Sequence, residues 1–220
     1  MNFVEYNVKD ANLEEVLLAL KSLDSVEAVA LGGSRSTGAS DENSDYDIYV
    51  YCAEIPTAET RENLLGKYCS IAEFGNHYWE SEDNTVMSNG IPVDIIYREV
   101  DRFGRYIDTV IKGGKAFNGY TTAFWHNIKN SKVLFDKTGT FTKFRDMAQI
   151  DFPENLRSAI IKNNRNLLNG KLPSYDRQIK KTQERGDIVS VNHRITAFLE
   201  SYFDVIFALN RQTKWQKGKV

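Results

Sequence analysis

The sequence predicts an α+β fold, with a mixed-sheet domain over residues 1–145 followed by an α-helical bundle over residues 146–220. Three observations carry that prediction. Apolar, strand-prone runs at residues 26–31, 45–51 and 91–97 are interleaved with helical stripes in the first two thirds of the chain. Asn89-Gly90 stands between two apolar runs as a hairpin turn. The last third holds no credible strand, and its apolar residues recur at helical spacing. At 220 residues and 41% hydrophobic content, the chain can bury a proper core in one large or two small domains.

Taken in order, Leu13, Val16, Leu17 and Leu20 keep helical spacing, and Asn12 with Glu15 three residues on forms a capping box that starts the first helix. Residues 26–31 are the first strand and deliver the chain into Gly32-Gly33. A short helix over residues 34–39 and a polar loop, Asp41 to Ser44, lead into the strand at 45–51. Pro56-Thr57 opens a second helix reaching Tyr68. Residues 74–79 are a weak strand or loop, and residues 85–87 and 91–97 are the arms of the Asn89-Gly90 hairpin. A helix from Arg98 to Lys112 stops at Gly113-Gly114. Residues 121–130 form a shorter helix and residues 133–135 a short strand, closed by the turn Asp136 to Gly139. Pro153 suits the first turn of the next helix, which carries Leu156, Ile160 and Leu167. Pro173 breaks it, a polar helix follows at 175–185, and a long amphipathic helix runs from Ile188 to Leu209. Its polar side is expected to carry Asp187, Arg194 and Asp204, and the basic segment from Lys214 to Lys219 follows it.

Chemistry concentrates in the stretch Leu31-Gly32-Gly33-Ser34-Arg35-Ser36-Thr37-Gly38, which leads to Asp45-Tyr46-Asp47. On a strand, the period of two sets Asp45 and Asp47 on one face. Paired carboxylates repel unless a cation sits between them, and hard oxygen donors suit Mg²⁺. Gly32 and Gly33 have no Cβ to block backbone N–H groups from a phosphate. Asp-x-Asp is common by chance, yet Asp47 interrupts an otherwise hydrophobic strand, where a carboxylate is disfavoured. The reading is a site for a metal-bound nucleoside triphosphate. Ser34 is the candidate hydroxyl donor to its phosphates, Ser44 a further contact, and Arg35 is suited to a bidentate phosphate contact.

Gly33-Ser34, a spacer, then Asp45-x-Asp47 entering a strand resembles the signature of the DNA polymerase β-like nucleotidyltransferase superfamily. Within it, the chain is most similar to small-molecule adenylyltransferases, such as aminoglycoside nucleotidyltransferases, and their uncharacterised bacterial relatives. The resemblance implies a third carboxylate on a neighbouring strand, for which Asp94 in Ile91-Pro92-Val93-Asp94-Ile95-Ile96-Tyr97 is the candidate. It implies two Mg²⁺ ions held by Asp45, Asp47 and Asp94, ATP as substrate, and Asp94 as ligand, general base or both. The implied reaction moves a nucleoside monophosphate, AMP from ATP, to a hydroxyl of a small molecule and releases pyrophosphate. It also implies a helical domain closing over the nucleotide, with Lys217 as a candidate basic contact and Asp187 as a candidate acceptor-binding carboxylate. Two other readings stay open: adenylylation of a protein, and a nucleotide-binding module without turnover.

Other classes are disfavoured. A net charge of −2 supplies no global field to hold a polyanion, so a nucleic-acid partner is not expected. His77, His126 and His193 lack metal-ligand spacing with each other or with the cysteines, which argues against zinc. Cys52 and Cys69 form no Cys-x-x-Cys pair and read as reduced thiols. With no apolar leader and no membrane-length apolar run, a cytoplasmic protein is the expectation. Tyr46, Tyr49, Tyr51, Tyr78 and Trp79 are candidates either for stacking on a base or for the core.

Overall fold

The computed structural model describes residues 8–213, apart from Asn43 and Lys171. Its residues fall into two compact units, one within Met1–Arg105 and Asn127–Met147, the other within Tyr106–His126 and Ala148–Val220.

The first unit is built on a six-stranded sheet. Its strands are β1 (Val26–Leu31), β2 (Tyr46–Cys52), β3 (Cys69–Asn76), β4 (Ser81–Met87), β5 (Pro92–Glu99) and β6 (Lys132–Asp136), in the order β3-β4-β5-β2-β1-β6. β2 and β5 run parallel, and every other neighbouring pair is antiparallel, so the sheet is mixed as expected. α1 (Ala11–Lys21) lays Leu13, Val16, Leu17 and Leu20 on one face of the sheet, against Ile48 and Val50 of β2 and Val93, Ile95 and Tyr97 of β5. The period of two then turns Asp47, Tyr49 and Tyr51 of β2 to the opposite face. There Tyr51 packs on Phe103, Phe141 and Phe144. β2 is therefore covered on both sides, which explains its almost continuously apolar sequence.

Several elements differ from expectation for physical reasons. The cap of α1 is Asp10, whose carboxylate accepts the N–H groups of Asn12 and Leu13, so the helix starts before the expected Asn12. α3 spans Ala58–Leu65 and a 3-10 turn carries the chain to Tyr68. β3 extends well before residue 74 because it is an edge strand, held by its backbone ladder to β4 with Ile71, Ala72 and Glu73 left in solvent. β4 begins at Ser81 despite its polar residues, because the buried Asp83 carboxylate is paired with Arg61 of α3 at 3.4 Å and accepts the Gly75 N–H. Arg98 belongs to β5, and α4 starts after it, at Val100–Ile111. α6 (Thr140–Ala148), unforeseen, buries Phe141, Phe144 and Ala148 at helical spacing.

The second unit is helical. α5 (Ala123–Asn130) leaves it for the sheet unit, and α7 (Glu154–Asn169), α8 (Tyr175–Glu184) and α9 (Ile188–Leu209) make up its bulk. The segment before α5 is tied to α7 and α9 by polar side chains. Asn164 of α7 accepts the Gly119 N–H at 3.2 Å, and Asp204 of α9 accepts the Thr121 N–H at 3.2 Å. Asp204 is consequently buried, not on the solvent side as the helical pattern suggested. Among the described residues, no helix is long and apolar enough to cross a membrane.

Candidate active site

β1 ends at Leu31, and the next residue closes back on β2: the Gly32 N–H donates to the Asp47 carbonyl at 2.8 Å. The chain then turns into α2, a single short helix at Gly33–Thr37 that ends on Gly38 in the left-handed conformation. Both glycines are required by what lies beneath them. A Cβ on Gly32 would stand 2.2 Å from the Tyr49 ring, and a Cβ on Gly33 would stand 1.7 Å from Asp47 Oδ2. Gly33 also has φ +61°, a conformation that side chains resist. The glycine turn thus lies directly against the Asp47 carboxylate.

Asp45 immediately precedes β2 and Asp47 is its second residue. Parallel pairing of β2 with β5 sets Asp94 beside Asp47 in register. One carboxylate oxygen from each of Asp45, Asp47 and Asp94 lies within 4.8 Å of the others, and all three residues are half-buried. This convergence needs two elements distant in sequence. Three anionic groups at that spacing are mutually repulsive, and a hard divalent cation coordinated by all three relieves the repulsion. The donor set therefore fits Mg²⁺.

Ser34 sits half-buried in α2, next to Gly33. Arg35 points back to the loop that carries Asp45, where its Nε donates to the carbonyls of Ser44 at 3.1 Å and Asp45 at 3.0 Å. Its guanidinium also lies over the Tyr46 ring, 4.1 Å from the centroid. The Ser44 hydroxyl donates to Asp41 Oδ1 and accepts the Asp41 N–H, both at 2.9 Å, which closes the loop on itself. Arg35 and Ser44 thus brace the Asp45 loop. Lys217 lies outside the described residues. Asp187 caps α9 by accepting the Ser190 N–H at 3.0 Å.

Below the carboxylates on the same face, the buried Arg98 is gripped by both Glu80 oxygens, at 2.8 and 2.7 Å, and donates to the Tyr51 hydroxyl at 3.2 Å. Burial pulls the pKa of this guanidinium down, but the Glu80 carboxylate and the neighbouring Tyr51 and Tyr49 outweigh it and hold Arg98 above its usual range. Burial also pushes the Tyr49 phenol above its usual range, against the pull of Arg98 and with Asp47 adding to the rise. Tyr49 therefore stays neutral and accepts a hydrogen bond from Asn127 at 3.0 Å. Tyr46, Tyr49 and Tyr51 are buried core residues, whereas Tyr78 and Trp79 are exposed.

One residue of this face escaped the sequence reading. Asn84 of β4 stands opposite Asp94 and donates its side-chain amide to Asp94 Oδ1 at 2.9 Å. The signal for it is the hairpin register. A two-residue turn at Asn89-Gly90 would set Thr85 opposite Asp94, but the loop is one residue longer, with Gly90 at φ +84°.

Residues 13–117 match the model of a nucleotidyltransferase domain, and residues 122–217 match a domain of unknown function, DUF4037. No curated protein shows significant similarity to the chain. Among solved structures, a nucleotidyltransferase-like protein from Exiguobacterium sibiricum is 10% identical at a TM-score of 0.41, covering 89% of this chain and 55% of that one. A CCA-adding enzyme in complex with CTP is 16% identical at a TM-score of 0.35, covering 93% and 54%. The Thermotoga maritima CCA-adding enzyme complexed with tRNA is 15% identical at a TM-score of 0.34, covering 96% and 55%. The chain spans about half the length of each.

Proposed function

We propose that this protein, whose residues 13–117 match the model of a nucleotidyltransferase domain, is a Mg²⁺-dependent nucleotidyltransferase. It transfers AMP from ATP to a hydroxyl of a small molecule and releases pyrophosphate. The observation that carries the reading is the convergence of Asp45, Asp47 and Asp94 within 4.8 Å, beside a glycine turn that a side chain would block.

Asp45, Asp47 and Asp94 hold the cation, and Asp47 is kept in place by the packing of Gly33 on its carboxylate. When bound, Mg²⁺ neutralises charge on the phosphates and on the attacking and leaving oxygens. Gly33 and Ser34 bind the phosphates, and Arg35 and Ser44 serve the nucleotide side through the Asp45 loop that they brace. In the transfer step the acceptor oxygen forms a bond to the α-phosphorus as the bond to the pyrophosphate oxygen breaks. The hydroxyl proton passes to Asp94, whose carboxylate adjoins Asp47 in the rung. The reaction needs no covalent protein intermediate, so positioning and charge neutralisation supply the rate.

The test is to incubate the protein with ATP, Mg²⁺ and a panel of hydroxyl-bearing small molecules and to follow pyrophosphate. Release that depends on one acceptor and disappears in Asp47→Asn supports the reading. Release unchanged in Asp47→Asn defeats it. Incubation with radiolabelled ATP and cell lysate asks about the acceptor class, because label on a protein band would replace the small-molecule assignment.

A further inference from the structure

A single rung crosses four strands of the sheet. Asp47 of β2 pairs with Asp94 of β5, Asp94 with Asn84 of β4, and Asn84 with Glu73 of β3. Directly paired residues share a face, so the rung reads Asp, Asp, Asn, Glu from the centre of the sheet to its edge. Three of these four side chains are acidic, and the one neutral group sits between two of them.

The hydrogen bonds run in one direction through that neutral group. Asn76 Nδ2 donates to Asn84 Oδ1 at 2.8 Å, and Asn84 Nδ2 donates to Asp94 Oδ1 at 2.9 Å. Asn76 Nδ2 also donates to Glu73 Oε2 at 3.3 Å. With the Asn84 amide reversed, its carbonyl oxygen would face the Asp94 carboxylate and its NH₂ would face the Asn76 NH₂, two repulsive contacts in place of two bonds. The relay therefore sets the Asn84 amide, and the amide sets the rotation of the Asp94 carboxylate. The strands themselves are already joined by their backbone ladders. What the relay adds is a fixed direction for one carboxylate.

We propose that Asn84 is a positioning residue for the cation site, holding Asp94 Oδ1 so that the carboxylate meets Asp45 and Asp47 in one orientation, with Asn76 fixing Asn84 in turn. The inference rests on the reading of Asp45, Asp47 and Asp94 as the cation ligands. Partners that orient a metal ligand affect affinity by about 10- to 100-fold when removed. Loss of Asn84 leaves all three carboxylates present but lets Asp94 rotate away from the shared site.

The experiment titrates Mn²⁺ into the full chain and reads free Mn²⁺ by electron paramagnetic resonance, without nucleotide or acceptor. Wild type, Asp47→Asn, Asn84→Ala and Asn76→Ala are compared, and the melting midpoint of each metal-free protein is recorded. Expected are binding by wild type, its loss in Asp47→Asn, about tenfold weaker binding in Asn84→Ala, and a smaller loss in Asn76→Ala, with the metal-free midpoints of Asn84→Ala and Asn76→Ala unchanged. Should Asn84→Ala not fold, Asn76→Ala reads the relay alone. Wild-type affinity in Asn84→Ala overturns the proposal while leaving the cation ligands intact. So does a loss of affinity that comes with an equal loss of metal-free stability, since that marks a structural role. Failure of the wild type to bind Mn²⁺ overturns the ligand assignment itself, and the proposal with it.

Discussion

Gly33→Ala tests the packing of the glycine turn on the Asp47 carboxylate. Two effects act together. An L-residue at φ +61° pays a backbone strain of about 1–2 kcal/mol, which lowers the melting midpoint by a few degrees in a chain this long. The new methyl carbon would also sit 1.7 Å from Asp47 Oδ2, half of an ordinary contact distance, so the carboxylate must retreat by roughly 1.5–2 Å. A displacement of that size removes one of the three proposed cation ligands, and a 1 Å misplacement can cost about 100-fold in turnover. Gly38→Ala is the matching control. Gly38 has φ +76° but nothing within 4 Å of an added Cβ, so it carries the backbone strain without the clash. Mn²⁺ affinity, pyrophosphate release and the melting midpoint are measured on both variants. The expected pattern is a similar loss of stability in both and a collapse of metal affinity and turnover in Gly33→Ala alone. Wild-type Mn²⁺ affinity in Gly33→Ala, or equal losses of affinity and turnover in the two variants, would refute the reasoning.

Further outcomes follow from other parts of the fold. Asp83→Ala strands the buried Arg61 guanidinium without its ion-pair partner and should cost about 3–5 kcal/mol in urea denaturation, whereas an exposed pair such as Lys112–Asp108 should cost under about 1 kcal/mol when broken. Asp187 has its carboxyl held below the usual range by the Ser190 hydrogen bonds, so it stabilises the fold above the unfolded Asp value and loses that contribution as pH falls through the depressed one. Asp187→Ala should therefore melt earlier than wild type at neutral pH, with the gap closing on acidification below about pH 4, while Asp187→Asn keeps the cap. Burial pushes the Cys52 thiol up to about 12, so iodoacetamide at pH 8 should spare Cys52 in the folded protein and label it readily in urea.

The sequence by itself determined the local chemistry. Helical and strand periods located most elements, because burial of one face imposes the period on the residue order. The glycine turn and Asp45-x-Asp47 were legible for the same reason: their geometry is set within about fifteen residues, where spacing along the chain is spacing in space. Asp94 was named through resemblance, but its place beside Asp47 depends on parallel pairing of β2 and β5, which no local pattern encodes. Tertiary structure alone decided that the edge strand β3 forms, that Asn84 faces Asp94, that Arg35 turns to the Asp45 loop, and that Asp204 is buried against Thr121. In each case a polar group takes its meaning from a partner on another element. Side-chain type tells what a group can bond to, and only the packed chain tells what stands within reach.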